Sequence, residues 1–289
     1  MRLLLTGAGS ELGRRLYRRL KTDSRLSGAR FVLLRHRASL SPKPGDEVVD
    51  ASLLALAPFG PLDGVIHLAG VSHAAAAEDY ERVNVEGTRR LIQAVRRSGV
   101  RQFIYMSSRC LGASGGAYSR SKELAERAVR ESGLPWTVFR PAEIIGEQYG
   151  RGLTQFLSLA DRWGVFPVIV SKARVTLAPI SLEAAVEAVA RAVLEERCLG
   201  KTYTLAGPRD YSFADIWRLL RRGPRRVLPL PVPLAALRAA CAVNAVYPVF
   251  GSLAPDQARR LAMPKSSDSS QAARDLDFKP LPLEELLLG

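Results

Sequence analysis

The sequence predicts an α/β protein: a doubly wound, mostly parallel sheet with helices on both faces, accompanied by a smaller, mostly helical C-terminal region. Three observations carry this expectation. Short β-rich apolar runs alternate with helical patterns. Most of these runs are continuously apolar, as strands covered on both faces are. A glycine-rich turn joins the first run to the first helix, and strand, helix, strand repeated in this way implies parallel crossovers.

In chain order, RLLL (2–5) is the first strand. The N-terminus MRLLLTGAGSELG breaks into Thr6-Gly7-Ala8-Gly9 directly after Leu5, too soon for the apolar region of a signal peptide, so a buried strand is expected. The turn continues through Ser10, Glu11, Leu12 and Gly13 into the helical GRRLYRRLK. RFVLL (30–34), DEVV (46–49) and GVIHLA (64–69) are the next strands. A helix from Asn84 to Arg97 ends before Gly99, RQFIYMS (101–107) follows, and a helix from Tyr118 to Glu131 stops at Gly133-Leu134-Pro135. WTVFR (136–140) and TYTLA (202–206) complete the strands. After Gly146 the rhythm loosens, and 147–178 and 208–289 are helical or irregular and proline-punctuated, the second opening with a capping-box start at Ser212 to Asp215. The expected organisation is a main domain over 1–146, completed by about 179–207, and a smaller region from 147–178 and 208–289 that covers it as a lid.

Composition bounds the class. With 289 residues, 47% hydrophobic and 24% charged, the chain is globular and not disordered. The most apolar late stretch, 227–253, is interrupted by Pro229, Pro231, Pro233, Arg238, Asn244 and Pro248, so no transmembrane helix is expected. Cys110, Cys198 and Cys241 are far apart and odd in number, which fits neither a disulfide framework nor a zinc cluster and points to a reducing cytoplasm. The net charge of +14 comes mainly from arginines scattered along helices with acids between them, and no nucleic-acid motif accompanies them. A solvated Arg-rich surface is expected, with attraction to anionic ligands or membranes left open and no specific nucleic-acid partner.

Two patterns carry chemistry. Glycines between a first strand and a first helix let the backbone approach a pyrophosphate at the helix N-terminus, although the third glycine comes one residue later than the literal dinucleotide fingerprint. At the end of the second strand, where an NAD enzyme has an acid for the ribose, stand Arg35, His36 and Arg37. Guanidinium groups there suit a 2′-phosphate, which favours NADP(H) and leaves NAD(H) open. Tyr118 and Lys122 fall one turn apart on one helical face, where an ammonium can favour the phenolate. His67 and His73 are expected to pack or orient loops, without metal-ligand spacing.

Together these residues resemble the extended and atypical short-chain dehydrogenase/reductase superfamily, of the NAD-dependent epimerase/dehydratase type with its Rossmann-type sheet. TGAGSELG resembles the family's glycine loop, VVDAS its adenine-side acid (Asp50), and HLAGVS the loop after the fourth strand (Leu68, Ala69, Gly70). NVEGTRRLIQAVRRSGVRQFIYMSS is similar almost position by position, and RPAEIIG, with Pro141, resembles the motif after the sixth strand. The resemblance implies that Tyr118 and Lys122 are the YxxxK pair and Ser108 the serine beside them, with Lys122 lowering the Tyr118 pKa and Asn84 ordering water around Lys122. It implies a redox step on a hydroxyl or carbonyl of a small molecule, with a nucleotide sugar as the substrate class. Arg140, Arg151 and above all Arg174 are the diphosphate ligands on offer.

Three departures stand out: Ser10 replaces a glycine, Ile145 replaces a frequent tyrosine, and the loop between Ser108 and Tyr118 is short. ARVTLAPISLEAAVEAV, GKTYTLAGP, VLPLPVPLAALRAA and PDQARRLA resemble a narrower branch that includes the NAD(P)-binding accessory subunit of respiratory complex I. That branch implies the alternative of a catalytically quiet nucleotide-holding scaffold or assembly factor. A homodimer and peripheral membrane contact through 227–253 are the further partners considered.

Overall fold

A computed structural model describes residues 1–36, 40–74, 76–146, 153–172, 174–223, 226–246 and 253–288. The first part of the chain forms β1 (Arg2–Thr6), α1 (Glu11–Lys21), β2 (Arg30–Arg35), β3 (Glu47–Asp50) and β4 (Gly64–His67). A short α2 (Ala77–Tyr80) runs through a π-helical stretch, Glu81–Glu86, into α3 (Gly87–Val95). β5 (Gln102–Met106), α4 (Ala117–Arg130) and β6 (Trp136–Pro141) follow. Next come β7 (Ile144–Ile145), α5 (Leu153–Trp163), β8 (Val165–Val170), β9 (Thr176–Leu177), β10 (Ile180–Ser181), α6 (Leu182–Ala192) and β11 (Lys201–Leu205). The remainder comprises β12 (Tyr211–Ser212), α7 (Phe213–Leu220), β13 (Leu228–Pro233), α8 (Leu234–Val246), α9 (Gln257–Ala262), α10 (Ser270–Leu276) and α11 (Leu283–Leu288).

Seven strands form one sheet in the order β3-β2-β1-β4-β5-β6-β11, and every pairing in it is parallel. The continuous apolar runs follow from this. Leu3, Leu5, Phe31 and Leu33 point into one core with Leu12, Leu16 and Leu20 of α1, and with α6. Leu4, Val32 and Leu34 point to the opposite face, against Leu91, Val95, Ala125 and Val129 of α3 and α4. Side chains alternate along a strand, so a strand covered twice must be apolar at every position, and each buried Leu or Phe contributes roughly 1.5–3 kcal/mol. Strand order reverses between β1 and β4, which opens a crevice above their carboxyl ends.

A third core gathers the other elements around Phe156, Phe166, Tyr211, Phe213, Ile216 and Leu237, with Phe213 edge-on to Phe156 at 5.5 Å. α7 opens with the expected capping box, Ser212 and Asp215 each bonding the other's backbone. Two local expectations change. The helix expected from Asn84 begins at Ala77, because the π-helical stretch carries the helical path backwards from that asparagine. The stretch around α10 was expected in the smaller region, yet Ala272, Leu276 and Phe278 pack into the core beneath α6 and β11. No described helix is long and apolar enough to cross a membrane.

Candidate active site

The glycine loop is shaped by close approach. Gly7 has φ +73°, and a Cβ on it would stand 2.7 Å from the Ala69 backbone nitrogen; a Cβ on Gly13 would stand 2.2 Å from the Gly7 carbonyl oxygen. Ser10 caps α1: its hydroxyl accepts from the Gly13 N–H at 3.0 Å and donates to the Gly7 carbonyl at 2.8 Å. A serine therefore closes the turn where the family pattern has glycine. The helix N-terminus, with its partial positive charge, is left at the crevice.

From this loop a cleft runs along the carboxyl edge of the sheet in three connected parts. The first, of about 340 Å³, is lined by Gly7, Gly9, Ser10, Arg35, Leu68, Ala69 and Gly70. The second, of about 480 Å³, shares Ser10, Leu68 and Gly70 with it and adds Glu11, Leu12, Ser108, Tyr118, Lys122 and Pro141. The third is a chamber of about 180 Å³ that shares Ser108, Tyr118 and Pro141 with the second and is closed by Arg109, Cys110, Glu143, Phe156, Arg260, Leu261 and Lys265. An elongated cleft over a glycine turn and a helix N-terminus suits a dinucleotide, so the residues present fit that group.

Of the two arginines expected to choose the cofactor, Arg35 is engaged internally. The β2–β3 register sets Arg35 beside Asp50, and the guanidinium donates to both carboxylate oxygens at 2.5 Å. Those hydrogen bonds hold Asp50 below the ordinary carboxylate range. Arg37 lies outside the described residues.

Thr6 and His67 face each other across β1 and β4. The Thr88 hydroxyl gives its one proton to the Asn84 carbonyl at 2.6 Å and so accepts from His67 Nε2–H at 2.9 Å. That leaves Nδ1 of the neutral ring as an acceptor for the Thr6 hydroxyl at 2.7 Å, while Thr6 also accepts from the Ala69 N–H at 3.3 Å. These partners fix a neutral imidazole with the proton on Nε2, and burial, then nearby Lys122, push its pKa down to about 3.

At the meeting of the second cavity and the chamber, Lys122 Nζ donates to the Met106 carbonyl at 2.6 Å and lies 4.4 Å from the Tyr105 ring centre. Burial brings its pKa down to about 7, against the pull of Glu126. Tyr118 is pushed up to about 12 by burial, against a hydrogen bond to Ser108 and the charge of Arg260. The cation on the Tyr118 ring is Arg260, 4.7 Å from its centre. Arg260 donates to the Ser72 carbonyl at 3.0 Å and pairs with Asp256 at 3.1 Å, while Asp256 accepts from the Tyr118 backbone N–H at 2.9 Å. Tyr80 meets the same ring edge-on at 5.7 Å.

Asn84 is buried beside the same group of residues. Its amide accepts from the Val71 N–H at 2.8 Å and donates to the Val71 carbonyl and the Ser121 hydroxyl at 3.0 Å, so it ties the loop after β4 to α4. Arg140 is bound to buried Glu126, at 2.6 Å from Nη2. Arg174 is exposed and lines none of the three cavities, and Arg151 lies outside the described residues.

Arg109, Glu143, Asp256, Arg260 and Lys265 are residues that sequence reasoning missed. Burial alone would raise the Glu143 carboxyl, but Arg109, 2.7 Å away, and Lys265 bring it below the usual range. The available signals were the arginine directly after Ser108 and the i,i+4 spacing of Asp256 and Arg260.

A family model described as NAD(P)H-binding matches residues 7–161. The ceramide reductase of Caulobacter vibrioides is 33% identical over 183 residues, 60% of this chain and 55% of that protein. The mitochondrial NADH dehydrogenase (ubiquinone) 1 alpha subcomplex subunit 9 of Mus musculus is 25% identical over 76% of this chain and 59% of its own length. The matches thus span between half and three-fifths of these curated relatives. Among solved structures, a nucleoside-diphosphate-sugar epimerase from Staphylococcus aureus superposes with TM-score 0.76 at 18% identity over 100% of both chains. UDP-glucuronic acid 4-epimerase from Bacillus cereus, in complex with a UDP-sugar analogue and NAD, gives 0.75 at 15% identity over 99% of this chain and 96% of that one.

Proposed function

We propose that this chain, which belongs to the NAD(P)H-binding family, is an oxidoreductase of the extended short-chain dehydrogenase/reductase type acting on a hydroxyl or carbonyl group of a largely apolar substrate. One observation carries this reading: Ser108 and Tyr118 line both the dinucleotide-shaped cleft and the chamber beyond it, so a reacting oxygen in the chamber meets both hydroxyls. When bound, a nicotinamide cofactor supplies or accepts the hydride. Ser108 holds the reacting oxygen by a hydrogen bond. Tyr118 gives that oxygen its proton, or takes it in the reverse direction, with Arg260 stabilising the phenolate. Lys122 lies under this pair, its charge adjustable near neutrality because burial places its pKa at about 7.

The chamber also bears on the substrate. At about 180 Å³, with Ile144, Leu153, Phe156, Leu177 and Leu261 in its walls, it suits a compact or apolar carbonyl. The name of the Caulobacter relative, ceramide reductase, supports the apolar character of the substrate but not a compact size, since only the reacting end of so long a molecule fits this chamber. A nucleotide sugar needs a diphosphate site, and of the arginines expected to form one, the two described are bound to Glu126 (Arg140) or exposed away from the chamber (Arg174), while Arg151 lies outside the described residues. A quiet nucleotide-holding scaffold is the second reading, favoured by Lys122 being drawn onto the Met106 carbonyl and by the likeness to an NADH dehydrogenase subunit. The domain roles follow: the sheet holds the cofactor and the elements around Phe156 and Phe213 cover the substrate.

The test is a panel of long-chain ketones, small ketones and UDP-sugars with NADPH and NADH, run on wild type, Tyr118→Phe and Arg35→Gln. We expect oxidation of the reduced cofactor with an apolar carbonyl, lost by about 100-fold or more in Tyr118→Phe while cofactor affinity stays within about twofold. We propose NADPH as the preferred cofactor, with Arg35 released from Asp50 to the 2′-phosphate, and that preference should shrink in Arg35→Gln. Turnover of UDP-sugars alone would reject the apolar-substrate reading, and cofactor binding without any turnover would leave the scaffold.

A further inference from the structure

A second surface, remote from the cofactor cleft, has an unusual composition. Apart from Met1 and Leu281, every exposed large apolar side chain among the described residues belongs to β8, β13, α8 or the end of α5: Trp163 at 66% exposure, Leu230 at 52%, Leu228 at 51%, Val170 and Val243. These elements adjoin one another. β13 runs parallel to β8, Trp163 directly precedes β8, and α8 leaves from the end of β13 and packs back on it.

α8 turns Leu234, Leu237, Cys241 and Asn244 inward, at the spacing of one helical face. A surface helix then shows polar residues outward. Here the outward positions are Ala235, Ala236, Ala239, Ala242 and Val243, with Arg238 the single charge among them.

Positive charge predominates around this face. Among the described residues, Arg221, Arg222, Arg226 and Arg238 are exposed there against the single exposed carboxylate of Asp161 on α5, while Arg218 is paired with Asp215 at 2.8 Å. Arg221 and Arg226 line one shallow depression with Leu228, and the Arg162 guanidinium lies 5.5 Å from the Trp163 ring centre. Exposed Trp and Leu beside arginines is the composition that enters a lipid headgroup region, with apolar side chains in the acyl boundary and guanidinium groups on the phosphates.

The edge of β13 argues against the commonest protein alternative. The Leu228 N–H points inward, to the Gly164 carbonyl at 2.8 Å, so the alternate positions Pro229, Pro231 and Pro233 take the outward places. An edge without outward donors cannot pair with a strand of a second chain.

We infer that the face formed by β8, β13, α8 and the end of α5 docks on an anionic lipid surface. Among the described residues no helix is long and apolar enough to span a membrane, so the described face is proposed to lie on the lipid surface. α5 also supplies Leu153 and Phe156 to the chamber, so the docked face lies roughly 10 Å along one helix from the chamber wall.

The inference is tested by vesicle co-sedimentation of the full chain, with phosphatidylcholine alone or with about 30% phosphatidylglycerol. Tryptophan emission is followed in parallel. Neither readout needs a substrate, so the outcome is independent of the proposed reaction. Binding to the anionic vesicles is expected, weakened roughly tenfold by Leu228→Ser with Leu230→Ser, and by a similar factor by Arg221→Glu with Arg222→Glu. Vesicles should shift the emission to the blue in wild type but not in Trp163→Phe. Unchanged melting temperatures and NADPH affinity certify that the variants fold. Absence of binding, a blue shift that survives in Trp163→Phe, or variants that alter only self-association in sedimentation velocity would each overturn it.

Discussion

Tyr118 is held by residues from three separate stretches of the chain: Ser108 at its hydroxyl, Tyr80 at its edge and Arg260 over its face. The Arg260 guanidinium is mostly buried, at 12% exposure, so its attraction for the ring and for a phenolate is little screened. Removing the charge raises the Tyr118 pKa further and makes the phenolate harder to form. Arg260→Gln is therefore expected to lower turnover by roughly 10- to 100-fold with little change in KM, equivalent to about 1.4–2.7 kcal/mol, and to move the rise of the oxidation rate to higher pH. Arg260→Lys should restore part of both. An unchanged pH profile in Arg260→Gln would reduce the arginine to packing. Tyr118, Lys122 and Ser108 were legible in the sequence because their spacing is local and tied to one helix and one strand end. Arg260 was not, because nothing in PDQARRLA says which ring that arginine will cover once the chain has folded.

At the scale of elements, the same dependence on distant partners governs α4. Gly116, before it, has φ +92° and no side chain to cap the helix, and a Cβ there would stand 2.5 Å from Asp256 Cβ. Asp256, just ahead of α9, caps α4 from outside by accepting the Tyr118 N–H. A carboxylate at a helix N-terminus stabilises it through both the hydrogen bond and the dipole. Asp256→Ala is expected to destabilise the protein by about 1–2 kcal/mol in urea unfolding and to speed amide exchange selectively in the first turn of α4. Exchange that stays slow there would mean that the cap is dispensable. The strands were readable because both faces of each are covered, and α7 because its capping box is local. The path from α2 into α3 was not, since the N-cap residue Ala76 offers no capping side chain and the π-helical stretch carries no sequence mark. The packing of α10 was hidden for another reason: its small apolar face, Ala272 with Leu276, fits either core.

Over the whole molecule, the hydrogen bonds that run from Thr6 through His67 and Thr88 to Asn84, and on to Val71 and Ser121, join β1, β4, the helix above them and α4 into one buried network. Its one titratable member gives it a pH dependence. His67 stays neutral in the folded chain down to about pH 3, whereas in the unfolded chain it takes up a proton near its ordinary value of 6.5. Between these values the unfolded state binds more protons, so stability falls as pH falls. The single-site loss between pH 6.5 and pH 5 is about 1.6 kcal/mol. Lys122 adds a slope of the same sign in another window: the unfolded chain holds its proton up to about 10.5 and the folded chain only to about 7, so stability rises with pH between them. Tyr118, raised to about 12, acts oppositely above its ordinary value of 10. The cofactor-free protein should therefore be more stable at pH 9 than at pH 7, and more stable at pH 7 than at pH 5. Urea unfolding at the three values measures this directly. His67→Gln should be less stable at pH 7 but should lose much of the decline between pH 7 and pH 5, while Lys122→Met should flatten the rise from pH 7 to pH 9. If His67→Gln kept the full acid slope, the decline would have to arise in the surface ion pairs instead, and 0.5 M salt would then weaken it by screening.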